Sequence, residues 1–185
     1  MESSFLVHPI PPLYDRDSRI LILGSFPSPK SREAKFFYGH PQNRFWKVMA
    51  QVLDWRGEAG NSQTAVSPAA GGPVTVPATV EEKRTMLLSN HIALWDTIAS
   101  CEITGASDAS ITNVTPNDLS PILQAAKIRA IFCNGAASHK LYMKYIFPAS
   151  GREAVKLPST SPANAAWSVD RLVREWQTVL AYLQE

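Results

Sequence analysis

Val155 to Leu157 gives a short fourth strand, and ahead of it three short apolar runs recur along the chain at spacings too wide for hairpins: Arg19 to Gly24 (RILILG), Ile92 to Ile98 (IALWDTI) and Arg129 to Cys133 (RAIFC). They are continuous rather than alternating, the pattern of strands buried on both faces. Between them the apolar period turns helical. Phe45, Trp46, Met49, Val52 and Leu53 mark one helix from Arg44 to Leu53, and Thr79 followed by Glu81 and Glu82 marks the capped start of another that runs to about Ser89. Further helices are predicted from about Asn117 to Lys127 and from Ala136 to Phe147. The last spans Val169 to Leu183, where Val169, Leu172, Val173, Trp176, Val179, Leu180 and Leu183 form one apolar stripe capped by Ser168. Strand and helix in strict alternation predict an α/β fold, a three-layer α/β/α sandwich around a central four-stranded parallel sheet. Pro9, Pro11 and Pro12 predict an extended lead-in before it. Gly57 to Ala78, rich in Gly, Ser, Thr, Ala and Pro, is expected to be a long, flexible surface loop.

A chain of 185 residues fits one domain, residues 1–185, with enough apolar content (45%) for a full core. Its net charge of +2 permits a nucleic-acid partner without demanding one. Two cysteines, Cys101 and Cys133, exclude a four-cysteine iron-sulfur cluster, and the scattered His8, His40, His91 and His139 form no metal-binding pattern, so neither metal nor cofactor is expected. The start of the chain lacks the charged-then-apolar plan of a signal peptide, and no run reaches the roughly 18 apolar residues of a membrane span. A soluble, cytoplasmic protein with reduced thiols is the expectation.

The chemistry concentrates where the first strand ends. In open parallel sheets ligands sit outside the carboxyl ends of the strands, which places Gly24, Ser25, Phe26 and Pro27 at such a site. Phe36, Phe37 and Tyr38 then offer flat faces, with His40, Gln42 and Asn43 as polar neighbours. The aromatic triplet suits either core or ligand shelf, and Asn43 either caps the helix that follows or faces a ligand. Arg44 and Lys47 are either a solvated helix flank or phosphate contacts. Asp96 and Asn134, at the ends of later strands, converge on the same edge; Asp96 either caps a turn or accepts from a purine imino N–H. Ser107, Ser110 and Asn113 are minor candidates. The Ser159 to Asn164 loop is small, hydroxylated and stiffened by proline, fit either for connecting strand to helix or for lying against phosphates.

Three segments, GSFPS, FFYGHPQNRFWK and LPSTSPANA, resemble in sequence and order the uracil-DNA glycosylase superfamily, most closely its hypoxanthine-DNA (deoxyinosine) glycosylase branch. The resemblance runs from about Arg19 to Trp167. It implies a monofunctional glycosylase of base excision repair that flips a deaminated base out of double-stranded DNA and hydrolyses its N-glycosidic bond. The alternatives are a mismatch-specific uracil glycosylase and a catalytically silent DNA-binding module.

The mismatch-specific relatives carry Gly-Ile-Asn-Pro where this chain has Gly24-Ser25-Phe26-Pro27, so their water-holding Asn is replaced by Phe26. The resemblance therefore implies Asn43 as the catalytic amide. Tyr38 is implied as the stacking shelf, with Phe26 and Phe37 behind it. Gly24, Ser25, Phe26, Pro27, His40, Asp96 and Asn134 complete the base pocket. Ser159, Ser161, Pro162, Ala163 and Asn164 are implied as the loop that enters the minor groove. A monomer is expected, because a duplex must reach the open edge; in a bacterium or archaeon the protein would associate with the nucleoid.

Overall fold

The computed structural model describes residues 2–57 and 73–184; most of the predicted 57–78 loop, residues 58–72, lies outside them. The three apolar runs and the short fourth strand form one parallel sheet, β2 (Ile20–Gly24), β3 (Ile92–Asp96), β6 (Ala130–Asn134) and β7 (Ala154–Leu157), in the order β3-β2-β6-β7, with β7 largely exposed at the edge. Register aligns the strand ends. Gly24 pairs with Asp96 and Asn134 with Leu157, so three of the predicted site residues emerge at one edge.

The central strand β2 is buried along its whole length. Ile20 and Ile22 face a cluster built with α2 (Phe45–Val52), α3 (Val80–Ser89) and α7 (Val169–Trp176). Leu21 and Leu23 face the opposite cluster, with α4 (Ser120–Ala125) and α5 (Ala136–Tyr145). Each of these four side chains contributes about 1.5–3 kcal/mol through burial, and their alternation is why a continuous apolar run, rather than a one-sided one, is required here. The Thr79–Glu82 capping box and the Ser168 cap both form as the sequence predicts.

Several elements depart from the sequence reading. The proline-rich opening is preceded by a strand, β1 (Ser4–Val7), which belongs to a second, antiparallel sheet, β1-β4-β5. Its other members are β4 (Ile98–Ile103), the continuation of the IALWDTI run, and β5 (Thr112–Pro116), inside what the composition reads as a loop. The chain changes sheet at Thr97. There the Thr97 N–H and hydroxyl both donate to the Gly24 carbonyl, and the Asn117 amide donates to the Asp96 and Ile98 carbonyls. These bonds supply the polar groups of the corner with partners and turn β4 away from the parallel sheet.

A short helix, α1 (Pro29–Ala34), capped by Ser28, also interrupts the predicted loop after β2. The helix expected over Asn117–Lys127 is regular only as α4, and the one expected over Ala136–Phe147 ends at Tyr145, followed by the single turn α6 (Phe147–Ser150). The last helix is α-helical only to Trp176 and continues as a 3-10 turn over Gln177–Tyr182, which still buries Val179.

Candidate active site

A cleft of about 420 Å³ opens at the carboxyl ends of the parallel strands. Gly24, Ser25, Phe26, Pro27, Tyr38, His40, Asn43, Asp96, Asn134, Ser159, Ser161, Pro162 and Ala163 all line it. Asn164 does not; it borders a second cleft of about 500 Å³ that shares Ser159, Ser161 and Ala163. The segment Ser159–Ala163 is thus a ridge between two hollows. Ser107 lines the first cleft, whereas the hydroxyl of Ser110 is bonded within its own loop, to Thr104 and Ser107.

The floor is tight. A Cβ on Gly24 would fall 2.3 Å from Asp96 Oδ1 and 3.2 Å from the Tyr38 hydroxyl, so only glycine lets these two groups approach the backbone. Asp96 is held by His8, a residue of the unforeseen first strand's end that the sequence reading assigned no role. His8 Nδ1 accepts from the Ile10 N–H, which puts the ring proton on Nε2, and that N–H donates to Asp96 Oδ2 at 2.7 Å. Asp96 Oδ1 faces the cleft without a hydrogen-bond partner among the described residues. Asp96 therefore caps no turn.

Tyr38 sits at φ 53°, a left-handed backbone that costs a bulky residue energy. Its ring stacks on Phe45 at 4.1 Å and 23°. One face of the expected shelf is therefore covered, and the part of Tyr38 that matters to the cleft is the hydroxyl, buried and without a hydrogen bond. Burial raises this phenol's pKa well above its ordinary value, the neighbouring Asp96 charge adds to the effect, and Asn134, close by but already engaged elsewhere, partly offsets it. Tyr38 is thus a neutral donor and acceptor. Phe36 and Phe37 are core residues packed with Trp46, away from the cleft, which removes Phe37 as a shelf. Phe26 keeps 8% of its surface exposed in the cleft wall, with the Arg32 guanidinium 5.8 Å from its ring centre.

Asp108 reaches the same cleft from the turn before β5 and accepts from the Ser25 hydroxyl at 3.0 Å. Desolvation raises its carboxyl above the usual range; the Ser25 bond lowers it and the Asp96 charge raises it further. Neither thiol is a nucleophile: both are buried, and burial pushes Cys133 up to about 12. No group of His, Cys, Asp and Glu that could hold a metal ion occurs among the described residues.

The cap position of α2 falls on Arg44, with no side-chain cap bond, and Asn43, one residue earlier, lines the cleft. Its Oδ1 accepts from the Phe45 N–H at 2.9 Å, holding the first turn of α2, and from the Thr160 hydroxyl at 2.9 Å across the cleft. Thr160, given no role of its own within the hydroxylated loop, is fully buried and also exchanges two bonds with Asn134: its N–H donates to Asn134 Oδ1 at 3.0 Å, and Asn134 Nδ2 donates to its hydroxyl at 2.9 Å. Arg44 is neither a solvated flank nor turned out toward phosphate. Its guanidinium donates to the carbonyls of Thr160, Ser161, Asn164 and Trp167, and so holds the ridge from within. Pro158 is tied down by the Trp176 indole N–H at 3.0 Å, and the Asn164 amide donates to the Ser159 carbonyl. The only signal for these roles in the sequence is the position of Arg44 directly after Asn43.

The site is thus a cleft at the carboxyl edge of a parallel sheet, with a buried polar floor and a braced loop at the rim. The chain matches the Uracil DNA glycosylase superfamily over residues 11–184 and belongs to it. It is a DNA glycosylase, a hydrolase of N-glycosyl bonds. It is 29% identical over 173 residues to the hypoxanthine DNA glycosylase of Methanosarcina acetivorans, covering 93% of this chain and 96% of that protein. A second hypoxanthine DNA glycosylase, from Methanosarcina barkeri, is 28% identical over 155 residues, covering 83% of this chain and 85% of that protein. The NMR solution structure of a candidate uracil DNA glycosylase from Methanosarcina acetivorans superposes with a TM-score of 0.74 at 28% identity, over 98% of this chain and 100% of that one.

Proposed function

We propose that this protein excises hypoxanthine from double-stranded DNA, reading the base edge with Asp96 and Tyr38 and using Asn43 as the catalytic amide. The observation that carries the reading is the pair of unengaged oxygens on the cleft floor, Asp96 Oδ1 and the Tyr38 hydroxyl, both against Gly24. Deamination of adenine converts N1 from an acceptor to an N–H donor and replaces the N6 donor by the O6 acceptor. A carboxylate oxygen beside a hydroxyl is the complement of that new edge. Adenine would leave the carboxylate facing a lone pair, an unpaired contact that costs about 1–3 kcal/mol. Uracil carries the same imino-carbonyl edge, and the names of the two relatives favour the purine.

Base excision builds negative charge on the departing base and positive charge on the sugar, so the work is positioning and electrostatics. Extrusion costs a few kcal/mol, and this reading gives the Ser159–Ala163 ridge beside the cleft the part of the wedge that fills the gap. The described lining of the cleft contains no lysine, which favours hydrolysis to an abasic site over a Schiff-base route. Among the described residues no helix is long and apolar enough to cross a membrane. The reading is of a monomer acting in the cytoplasm on chromosomal DNA.

The test is a labelled duplex carrying deoxyinosine, deoxyuracil or deoxyxanthosine, incubated with wild type and with Asn43→Ala, then cleaved by alkali. Breaks at deoxyinosine that fall by about two to four orders of magnitude in the variant support the reading. Breaks at deoxyuracil alone transfer the assignment to uracil, and no breaks at all leave the silent DNA-binding module.

A further inference from the structure

We propose that Asn43 acts as a hydrogen-bond donor to the departing base rather than as an acceptor that orders water, and that Thr160 is the positioning residue that fixes it in that role. The inference rests on the base-excision reading above and deepens it. Its starting points are two backbone N–H groups, whose direction cannot be reversed. The Phe45 N–H points at one end of the Asn43 amide, which must therefore be the oxygen. The Thr160 N–H likewise makes the facing end of Asn134 its oxygen, leaving Asn134 Nδ2 to donate to the Thr160 hydroxyl. That hydroxyl has one proton, and its remaining neighbour is Asn43 Oδ1 at 2.9 Å. Both lone pairs of Asn43 Oδ1 are then occupied. What Asn43 has left for the cleft it lines is Nδ2, two N–H groups with no partner among the described residues.

A group that only donates can neither accept a proton from water nor make it more nucleophilic. It can stabilise negative charge accumulating on a purine ring nitrogen or carbonyl as the glycosidic bond breaks. The chain of bonds from Asn134 through Thr160 also polarises the Asn43 carbonyl, which makes its N–H groups stronger donors. Thr160 is completely buried beneath the cleft lining to which it belongs and bonds to both Asn43 and Asn134; the part proposed for it is to hold Asn43.

The experiment measures single-turnover excision, at saturating enzyme, for wild type, Asn43→Asp, Thr160→Ser, Thr160→Val and Thr160→Val combined with Asn43→Ala. Asn43→Asp should lose at least as much rate as Asn43→Ala, because a carboxylate offers acceptors only and sets a charge against the leaving anion. Thr160→Ser should stay within about twofold of wild type. Thr160→Val should be about tenfold slower at unchanged duplex affinity, with no further loss when Asn43 is already Ala. An Asn43→Asp enzyme as fast as wild type overturns the donor role. A Thr160→Val loss of equal size with and without Asn43 overturns the positioning role.

The same series on deoxyuracil tests the inference if deoxyinosine is not the substrate, so the two readings fail separately. Independently of catalysis, the Asn43 side-chain amide should give a sharp, slowly rotating pair of NMR resonances in wild type that broadens in Thr160→Val. No broadening would overturn the lock.

Discussion

Arg44→Ala tests how the ridge is held. The guanidinium donates to four loop carbonyls, those of Thr160, Ser161, Asn164 and Trp167. Bonds from a charged donor contribute about 1.5–3 kcal/mol when sheltered and about 1 kcal/mol when water can replace them. The ridge is half-exposed, so the lower figure applies and the four together stabilise it by about 4 kcal/mol. That is roughly three decades in the equilibrium for local opening.

Amide exchange reads this directly. The probes are the Asn164 N–H, bonded to the Ser161 carbonyl, and the Trp167 N–H, bonded to the Asn164 carbonyl. Both should lose about a thousandfold in protection in Arg44→Ala, while amides of β2 keep theirs because the main core is untouched. Arg44→Lys should recover only part, since a single ammonium cannot spread over four carbonyls as a planar fork does. Protection at both probes within tenfold of wild type would refute the argument and show that the turn's own bonds suffice.

Two further outcomes follow from the cleft floor. Gly24→Ala should cut excision by about a hundredfold while leaving the protein folded, because the new methyl meets Asp96 Oδ1 at 2.3 Å and displaces a group that His8 holds in place; a single-turnover rate within twofold of wild type would count against the tightness of that floor. Asp108 is an exposed residue whose carboxyl accepts from Ser25 at the cleft; partial desolvation there raises its pKa in the folded protein, an effect that solvent screening keeps small, so the native state holds the proton slightly more tightly than the unfolded chain. Its unfavourable contribution is absent at low pH, grows as pH rises from the ordinary carboxylate value through the raised one, and then stays. Asp108→Asn should accordingly raise the melting temperature relative to wild type at pH 7 and not at pH 3, and an equal shift at both would oppose the reading.

What the sequence disclosed depended on how much of each element is apolar. The three buried strands β2, β3 and β6 are short, mostly apolar runs and could hardly be read otherwise, whereas β7 is largely exposed, and the Thr79 box is a purely local device. The second sheet was hidden because it is thin. Phe5 and Val7 of β1 are exposed, β5 reads TNVTP, and β4 follows β3 so closely that the two look like one run until Thr97 and Asn117 bend it. With that sheet went His8, whose partner Asp96 is 88 positions away.

The cleft lining was legible because its members sit at strand ends or in unusual loops. The wiring behind it was not: Thr160 and Arg44 act through backbone carbonyls and a hydroxyl, contacts that leave no spacing pattern. Tyr38 advertises its faces in the sequence, while what only the structure shows is that Phe45 covers one of them and that its hydroxyl lies unbonded against Gly24.

A ridge braced by Arg44 and Trp176 has already surrendered its conformational freedom before any duplex arrives. It has little ordering entropy left to lose on contact, and, being stiff, it cannot mould itself to the helix. With the ridge as the proposed wedge, the deformation falls on the DNA instead. Selection among sites should then follow how readily each base pair opens, so that a weakly paired lesion between flexible neighbours is found faster than the same lesion in a stiff tract.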